Sequence, residues 1–299
     1  MKILVLGGTG MIGGHIALYL KQKGHSVAIA GRKPPAPGTP LRSLPFLKGD
    51  YIANNFDRHD LAQFDALVFA AGHDVRHLPE GEDDRYWHRA NTIGVPRFFE
   101  TARAAGIRHA IHIGSFYPQV VPELVSTNAY VASRKGADDG IRALAGPNFR
   151  AISLNAPYVV GLVPGLDLRG FRRLTEYAEG RIEQIPAFAP PGGVNYISTQ
   201  SISEAVEGAL ERGENGKAYL IGDENVSFQD YFGAYFEALG HERPPVLDQP
   251  HPLFSAPLFG FGKSAYYEPD PAETKLLGYR RHDVIPTIRK IVEYYRSRG

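Results

Sequence analysis

The chain has 299 residues, enough for one large domain or two modest ones, and 43% hydrophobic residues with both charge signs present support a well-buried core. Its 33 basic and 32 acidic side chains nearly cancel, leaving no cationic surplus for nucleic acid or an anionic membrane; with no Cys there is no disulfide, thiolate nucleophile or Cys-ligated zinc. The N-terminal apolar run is stopped by glycines, too short to cross a membrane and without a secretory cleavage pattern, so the cytoplasm is the expected compartment.

In chain order, "KILVL" reads as a strand and Met11 to about Lys23 as a helix. "HSVAIA" is a second strand. The prolines from Pro34 to Pro45 exclude a helix, so a loop is expected in place of one crossover helix. "FDALVFA" (64–70), a long helix to about Ala105, "HAIHI", a helix carrying Tyr130, and "FRAISL" (149–154) continue the alternation. Strand, helix, strand repeated in this way implies right-handed crossovers and a parallel sheet covered on both faces. Residues 156–193 are rich in Gly, Pro and aromatics, with one helical stretch around Phe171–Glu179. After them "VNYIS", a helix from about Ser201, "KAYLI" and a helix from Ser227 restore the pattern. Ser201-x-x-Glu204 and Ser227-x-x-Asp230 each fit an N-cap. Ile285, Ile288, Ile291, Val292 and Tyr295 share one helical face, a packing stripe. The expected architecture is α/β: a doubly wound Rossmann domain over 1–155 with returns at about 194–222, and a small discontinuous substrate lobe from 156–193 and 223–299.

Gly7-x-x-Gly10-x-x-Gly13 lies directly between the first strand and the first helix. There the backbone must turn tightly and approach a pyrophosphate held at the helix N-terminus. At the end of the second strand stands Ala30-Gly31-Arg32-Lys33, with no acidic residue to hold both ribose hydroxyls of NAD. Arg32 and Lys33 suit a 2′-phosphate instead, so NADP is the favoured cofactor and NAD the alternative.

The spacing GGTGMIG resembles the extended branch of the short-chain dehydrogenase/reductase superfamily, the NAD-dependent epimerase/dehydratase type. Further stretches match it in order over some 240 residues. Lys48-Gly49-Asp50, Ala70-Ala71-Gly72, Asn91-x-x-Gly94, "HIGSFYP", "LNAPYVVG" and "VNYISTQSISEAV" carry the likeness. The resemblance implies a cofactor site formed by Gly7, Thr9, Gly10, Met11, Ile12 and Gly13 at the phosphates, and by Asp50 and Tyr51 at the adenine. Ala70, Ala71 and Gly72 would line the fourth strand's end, and Pro157 the nicotinamide. It also implies a catalytic set: Ser115 to orient a carbonyl, Tyr130 to exchange the proton, and a cation four residues on.

That cation departs from the family's Lys. Arg134 stands at plus four and Lys135 at plus five. On a helix, plus four lies about 40° from the Tyr direction and plus five about 140° from it, so Arg134 shares the Tyr130 face. Being permanently charged, Arg134 stabilises a tyrosinate but hands on no proton. A local helix bulge would bring Lys135 round instead.

His73 and His77 have helix-like metal spacing but no third ligand, and fit a surface or pocket rim better than zinc. His112 reads as a packed strand residue. Trp87, Phe116 and Tyr117 fit a substrate pocket or core equally well. The resulting expectation is an NADP(H)-dependent oxidoreductase moving hydride to or from a small carbonyl or alcohol. The alternatives are a nucleotide-sugar epimerase or dehydratase, for which Arg169, Arg172, Arg173 and Arg181 are the available cations, and a cofactor-binding sensor without catalysis. Relatives pair through helices that would fall here at about 86–105 and 127–145, so a homodimer is compatible with the resemblance.

Overall fold

The computed structural model describes residues 1–72, 78–254 and 258–298. In chain order the first half gives β1 (Lys2–Leu6), α1 (Met11–Gln22), β2 (Ser26–Gly31), a 3-10 turn (Pro40–Ser43), β3 (Phe46–Lys48), α2 (Arg58–Leu61) and β4 (Ala66–Phe69). A helical arm follows: α3 (Arg85–Trp87), a wide π turn (His88–Ile93) and α4 (Gly94–Ala104). Then come β5 (His109–Ser115), α5 (Tyr117–Val120), α6 (Leu124–Thr127), α7 (Ala129–Arg142) and β6 (Arg150–Ala156). The second half adds β7 (Tyr158–Val160), α8 (Arg169–Ala178), β8 (Gly193–Ser198), α9 (Thr199–Arg212), β9 (Ala218–Leu220), β10 (Glu224–Ser227), α10 (Phe228–Glu237), β11 (Ser264–Ala265), α11 (Pro271–Leu277) and α12 (Val284–Arg296).

Among the described residues, seven strands form one parallel sheet in the order β3-β2-β1-β4-β5-β6-β9. The order reverses on either side of β1, which opens a crevice at the carboxyl ends of β1 and β4. Side-chain alternation along β1 builds both cores at once. Ile3 and Val5 pack with Ile16 and Leu20 of α1 and Ile202 and Val206 of α9, while Leu4 and Leu6 pack with Phe98 and Phe99 of α4 and Ala137 and Ile141 of α7. Such a strand, buried on both faces, reads as a continuous apolar run.

β8 does not return to the main sheet. It sits in a second sheet, antiparallel to β10 and parallel to β7 and β11. The stretch 194–222 therefore divides: β8 belongs to the small sheet, whereas α9 packs on α1 and β9 closes the edge of the large one. The cap of α9 also differs from the Ser201 expectation. Ser198 accepts from the Ser201 backbone N–H at 3.0 Å, so the cap lies three residues earlier than the sequence suggested. Ser201 is fully buried on the inner face, where its hydroxyl meets that of Ser198. Ser227 caps α10 as expected, accepting from the Asp230 N–H at 3.0 Å. The C-terminal stripe packs as α12, with Ile288, Ile291, Val292 and Tyr295 buried and Ile285 half-buried. His112 is a packed strand residue, its ring near Phe69 and Phe99 and its Nδ1 3.1 Å from the Ser153 hydroxyl.

Candidate active site

The glycine turn follows from what a side chain would strike. Gly7 has φ +83°, and a Cβ there would lie 2.6 Å from the Ala70 carbonyl oxygen. At Gly13 a Cβ would fall 2.4 Å from the Gly7 carbonyl oxygen, so α1 could not pack so closely on the turn. Gly10 is different. It is exposed, and a Cβ would meet only the Gly7 oxygen at 3.5 Å, leaving the space in front of α1 open. No side chain caps this helix and no acidic residue occupies its first turn, so its first N–H groups face that space. These features fit a dinucleotide pyrophosphate. Met11 and Ile12 are half-buried in the same turn, and the Thr9 hydroxyl lies against Gly31 at the end of β2.

Beyond β2, Arg32 and Lys33 are both exposed. One carboxylate oxygen of Asp50 accepts from the Ile52 N–H at 2.9 Å, and the Asp50 N–H donates to Asn55 Oδ1 at 2.7 Å, which fixes the loop after β3. Tyr51 lies deeper than the adenine role implied. Its ring packs edge-on against Phe69 at 5.0 Å and burial holds its phenol pKa above the usual range. A Cβ on Gly94 would come within 3.3 Å of that ring, so the Gly of Asn91-x-x-Gly94 makes room for Tyr51.

Ser115 ends β5 and is 8% exposed. Asn128 starts α7 by accepting from the Val131 N–H at 3.0 Å, and this sets the phase of the helix that presents Tyr130. Tyr130 and Arg134 are 4% and 7% exposed, and the guanidinium carbon lies 5.9 Å from the Tyr130 ring centroid. Arg134 Nη2 donates to the Ile113 carbonyl at 3.1 Å, and its Nη1 lies 3.1 Å from where Gly72 would place a Cβ. Gly72 thus leaves the space that Arg134 occupies, and Ala70 and Ala71 before it are half-buried against Gly7. Lys135 turns outward and pairs with Asp139 at 2.5 Å, both side chains 46% exposed. The helix from Ala129 to Arg142 carries no bulge. Pro157 is buried between β6 and β7.

Behind Tyr130 sits a pair the catalytic pattern did not single out. Ser133 donates to the Tyr130 carbonyl at 2.7 Å and accepts from Asn91 Nδ2 at 3.0 Å, tying α7 to the π turn. Asn91 Oδ1 is buried with no hydrogen-bond partner among the described residues. A Ser three residues after the Tyr was the available signal.

Trp87, Phe116 and Tyr117, left open between pocket and core, are buried beside Tyr130 or one ring removed from it. Trp87 meets Tyr130 edge-on at 5.4 Å and Tyr117 does so at 6.3 Å. Tyr117 stacks on Phe259 at 5.9 Å, and its hydroxyl donates to that of Tyr158 at 3.1 Å. Phe116 stacks on Tyr267 at 6.0 Å. Of the four candidate cations, Arg172 is held by Asp167 and Glu176, each at 3.0 Å, and Arg181 pairs with Glu179; Arg173 is half-buried and Arg169 exposed. His73 and His77 lie outside the described residues. A separate cavity of about 610 Å³ opens on the α1/α9 side, lined by His15, Glu204, Arg280 and Asp283 among others, with none of the Tyr130 set. No helix among the described residues is long and apolar enough to cross a membrane.

A tight glycine turn between the first strand and first helix of a doubly wound parallel sheet is the fold of the dinucleotide-dependent class of enzymes. Residues 3–174, more than half of the chain, match the NAD dependent epimerase/dehydratase family, and the chain belongs to that family. Sterol demethylase protein B of Methylococcus capsulatus is 22% identical over 263 residues, covering 84% of this chain and 78% of that protein. UDP-glucose 4-epimerase from Bifidobacterium longum, solved with NAD+ and UDP, superposes with a TM-score of 0.77 at 17% identity over 100% of this chain and 99% of that one. The UDP-glucose-4-epimerase of Stenotrophomonas maltophila, with NAD and formylated UDP-arabinopyranose, gives 0.74 at 18% identity over 100% and 98%. At these identities the structures share the fold.

Proposed function

We propose that the protein is an NADP(H)-preferring oxidoreductase acting on a small uncharged carbonyl or alcohol. The observation that carries this reading is the setting of Tyr130: buried, flanked by Arg134, and walled by Trp87 and Tyr117. Aromatic walls desolvate an apolar substrate cheaply, whereas a nucleotide diphosphate needs free cations, and Arg172 and Arg181 are already paired. The name of one relative, a sterol demethylase protein, points the same way.

The glycine turn from Gly7 to Gly13 would hold the pyrophosphate, and Arg32 and Lys33 the 2′-phosphate. Bound there, the nicotinamide would supply hydride chemistry, reduction of the substrate carbon in one direction and its oxidation in the other. In reduction, Tyr130 gives its phenol proton to the substrate oxygen while the Ser115 hydroxyl hydrogen-bonds that same oxygen. Arg134 supplies the positive charge that a developing tyrosinate requires and exchanges no proton itself. Trp87 and Tyr117 exclude water from the phenol.

The test is a titration with NADPH and NADH, followed by turnover of ring ketones with UDP-glucose as the competing substrate. Tighter NADPH binding, a gap narrowed by about 1–3 kcal/mol in Arg32→Ala, and ketone reduction that stops in Tyr130→Phe are the expected results. Equal cofactor affinities would remove the NADP assignment. Epimerisation of UDP-glucose without ketone reduction would replace the substrate assignment. Firm cofactor binding with no turnover of either would favour the sensor.

A further inference from the structure

The cavity of about 610 Å³ beside α1 and α9 is lined from matching helical faces. His15, Tyr19 and Gln22 stand at steps of four and three along α1, and Asp283, Thr287 and Lys290 repeat those steps from the N-cap of α12. Most of the charges around it are already matched. Lys23 pairs with Glu207 at 3.1 Å, and Arg280 with Glu204 at 2.6 Å. Asp283 and Lys290 line the same space and form no ion pair among the described residues.

Asp283 is 7% exposed and stands at the N-cap of α12, yet its side chain makes no capping bond. Asp223 accepts from the His282 and Asp283 N–H groups and Glu224 from that of Val284, so the Asp283 carboxylate is spared for the cavity, where it meets the Thr287 hydroxyl at 3.2 Å. His15 adds a second acceptor. Ser203 gives its hydroxyl hydrogen to the Thr199 carbonyl at 2.8 Å, so its oxygen accepts from His15 Nδ1 at 2.8 Å. The imidazole then carries its lone pair at Nε2. Burial lowers the His15 pKa to about 4, against the opposing effect of Asp283 close by, and the ring is neutral at ordinary pH.

A buried carboxylate beside a neutral acceptor is completed by a cation that donates N–H bonds. Seven residues of α12 rise by about 10 Å and a lysine side chain leans back toward the helix N-terminus, which sets the Lys290 ammonium about 6–10 Å from the Asp283 carboxylate. Leu162 and Pro164 offer apolar surface in the same cavity. We infer that this cavity is a second ligand site, separate from the Tyr130 centre, for a small zwitterion: an ammonium held by Asp283 and His15 Nε2, a short methylene chain, and a carboxylate at Lys290.

The experiment is a calorimetric titration of the whole protein with 6-aminohexanoate, whose charges stand about 7 Å apart when extended. Hexylamine and hexanoate present one charge each, and glycine presents both too close together to span the site. Wild type should bind 6-aminohexanoate saturably and on the order of tenfold more tightly than any of these three. Asp283→Asn and Lys290→Met should each weaken that binding about tenfold, while Tyr130→Phe leaves it unchanged. Lys290 is exposed, so its variant reports on the site even if Asp283→Asn folds poorly. No saturable heat, equal affinity for all the probes, or wild-type affinity in Lys290→Met overturns the inference. Loss of binding in Tyr130→Phe also overturns it, since the probe would then occupy the reacting centre.

Discussion

Replacing Arg134 by methionine keeps most of the stem's bulk in the corridor beside Gly72 and removes the charge. The guanidinium carbon lies 5.9 Å from the Tyr130 ring centroid. Unit charges at that separation interact by about 3 kcal/mol at the effective dielectric of roughly 20 that suits protein sites. The phenol oxygen carries only part of a charge in the transition state, so half of that sum is a fair lower figure. Arg134→Met should therefore lower kcat about ten- to a hundredfold, at about 1.4 kcal/mol per factor of ten. Initial rates of NADPH consumption at saturating ketone measure this, and a parallel NADPH fluorescence titration separates it from cofactor binding. Arg134→Lys should keep turnover within a few-fold or improve it, because it restores a cation at the same helical position. Lys135→Ala should be silent, since its ammonium pairs with Asp139 on an exposed surface where such pairs contribute little. Wild-type turnover in Arg134→Met together with collapse in Lys135→Ala would refute the assignment.

Two further perturbations separate fold from function. Gly10→Val should leave melting nearly unchanged and abolish NADPH binding, because a Cβ there meets only the Gly7 oxygen at 3.5 Å, whereas Gly13→Ala, at 2.4 Å from that oxygen, should lower the melting temperature itself. Normal NADPH affinity in a folded Gly10→Val protein would mean that the phosphates bind elsewhere. Burial lowers the pKa of His15 from 6.5 to about 4, and burial also lowers those of His112 and His251. The unfolded chain then binds more protons than the folded one between those values. Stability should be fully present above about pH 6.5 and decline as pH falls toward about 4, by up to about 3 kcal/mol for His15 alone. Asp223, whose buried carboxyl has a raised pKa, acts in the opposite sense. A melting temperature that stays flat through this window would refute the histidine account.

The parallel sheet was legible because each of its elements is locally consistent. β1 is apolar at every position from Ile3 to Leu6, α1 opens on glycines, and the prolines before β3 leave space for nothing longer than the 3-10 turn Pro40–Ser43. The placement of β8 was not legible. "VNYIS" is buried at all its positions and would suit either sheet; the choice is made by β7, β10 and β11, which pair with it from both directions. The cap of α9 escaped for a related reason, since Ser198 and Ser201 both satisfy a capping rule and only burial of Ser201 decides between them.

At the site, helical phase alone separated Arg134 from Lys135, because α7 is regular across Tyr130 and a regular helix leaves one direction for each position. What phase could not supply is why arginine fits there. A guanidinium is longer and broader than the ammonium it replaces, and burying it needs both an acceptor and space. The Ile113 carbonyl of β5 gives the acceptor, and the missing side chain at Gly72, in the segment after β4, gives the space, both from parts of the chain separated in sequence from α7 and brought beside it by the sheet order. Alanine at position 72 would set a Cβ 3.1 Å from Nη1, a contact that a flexible side chain relieves only by shifting. Any such shift moves the charge relative to Tyr130. In the proposed mechanism Gly72 would therefore bear on catalysis through Arg134, a coupling that neither residue displays in the sequence.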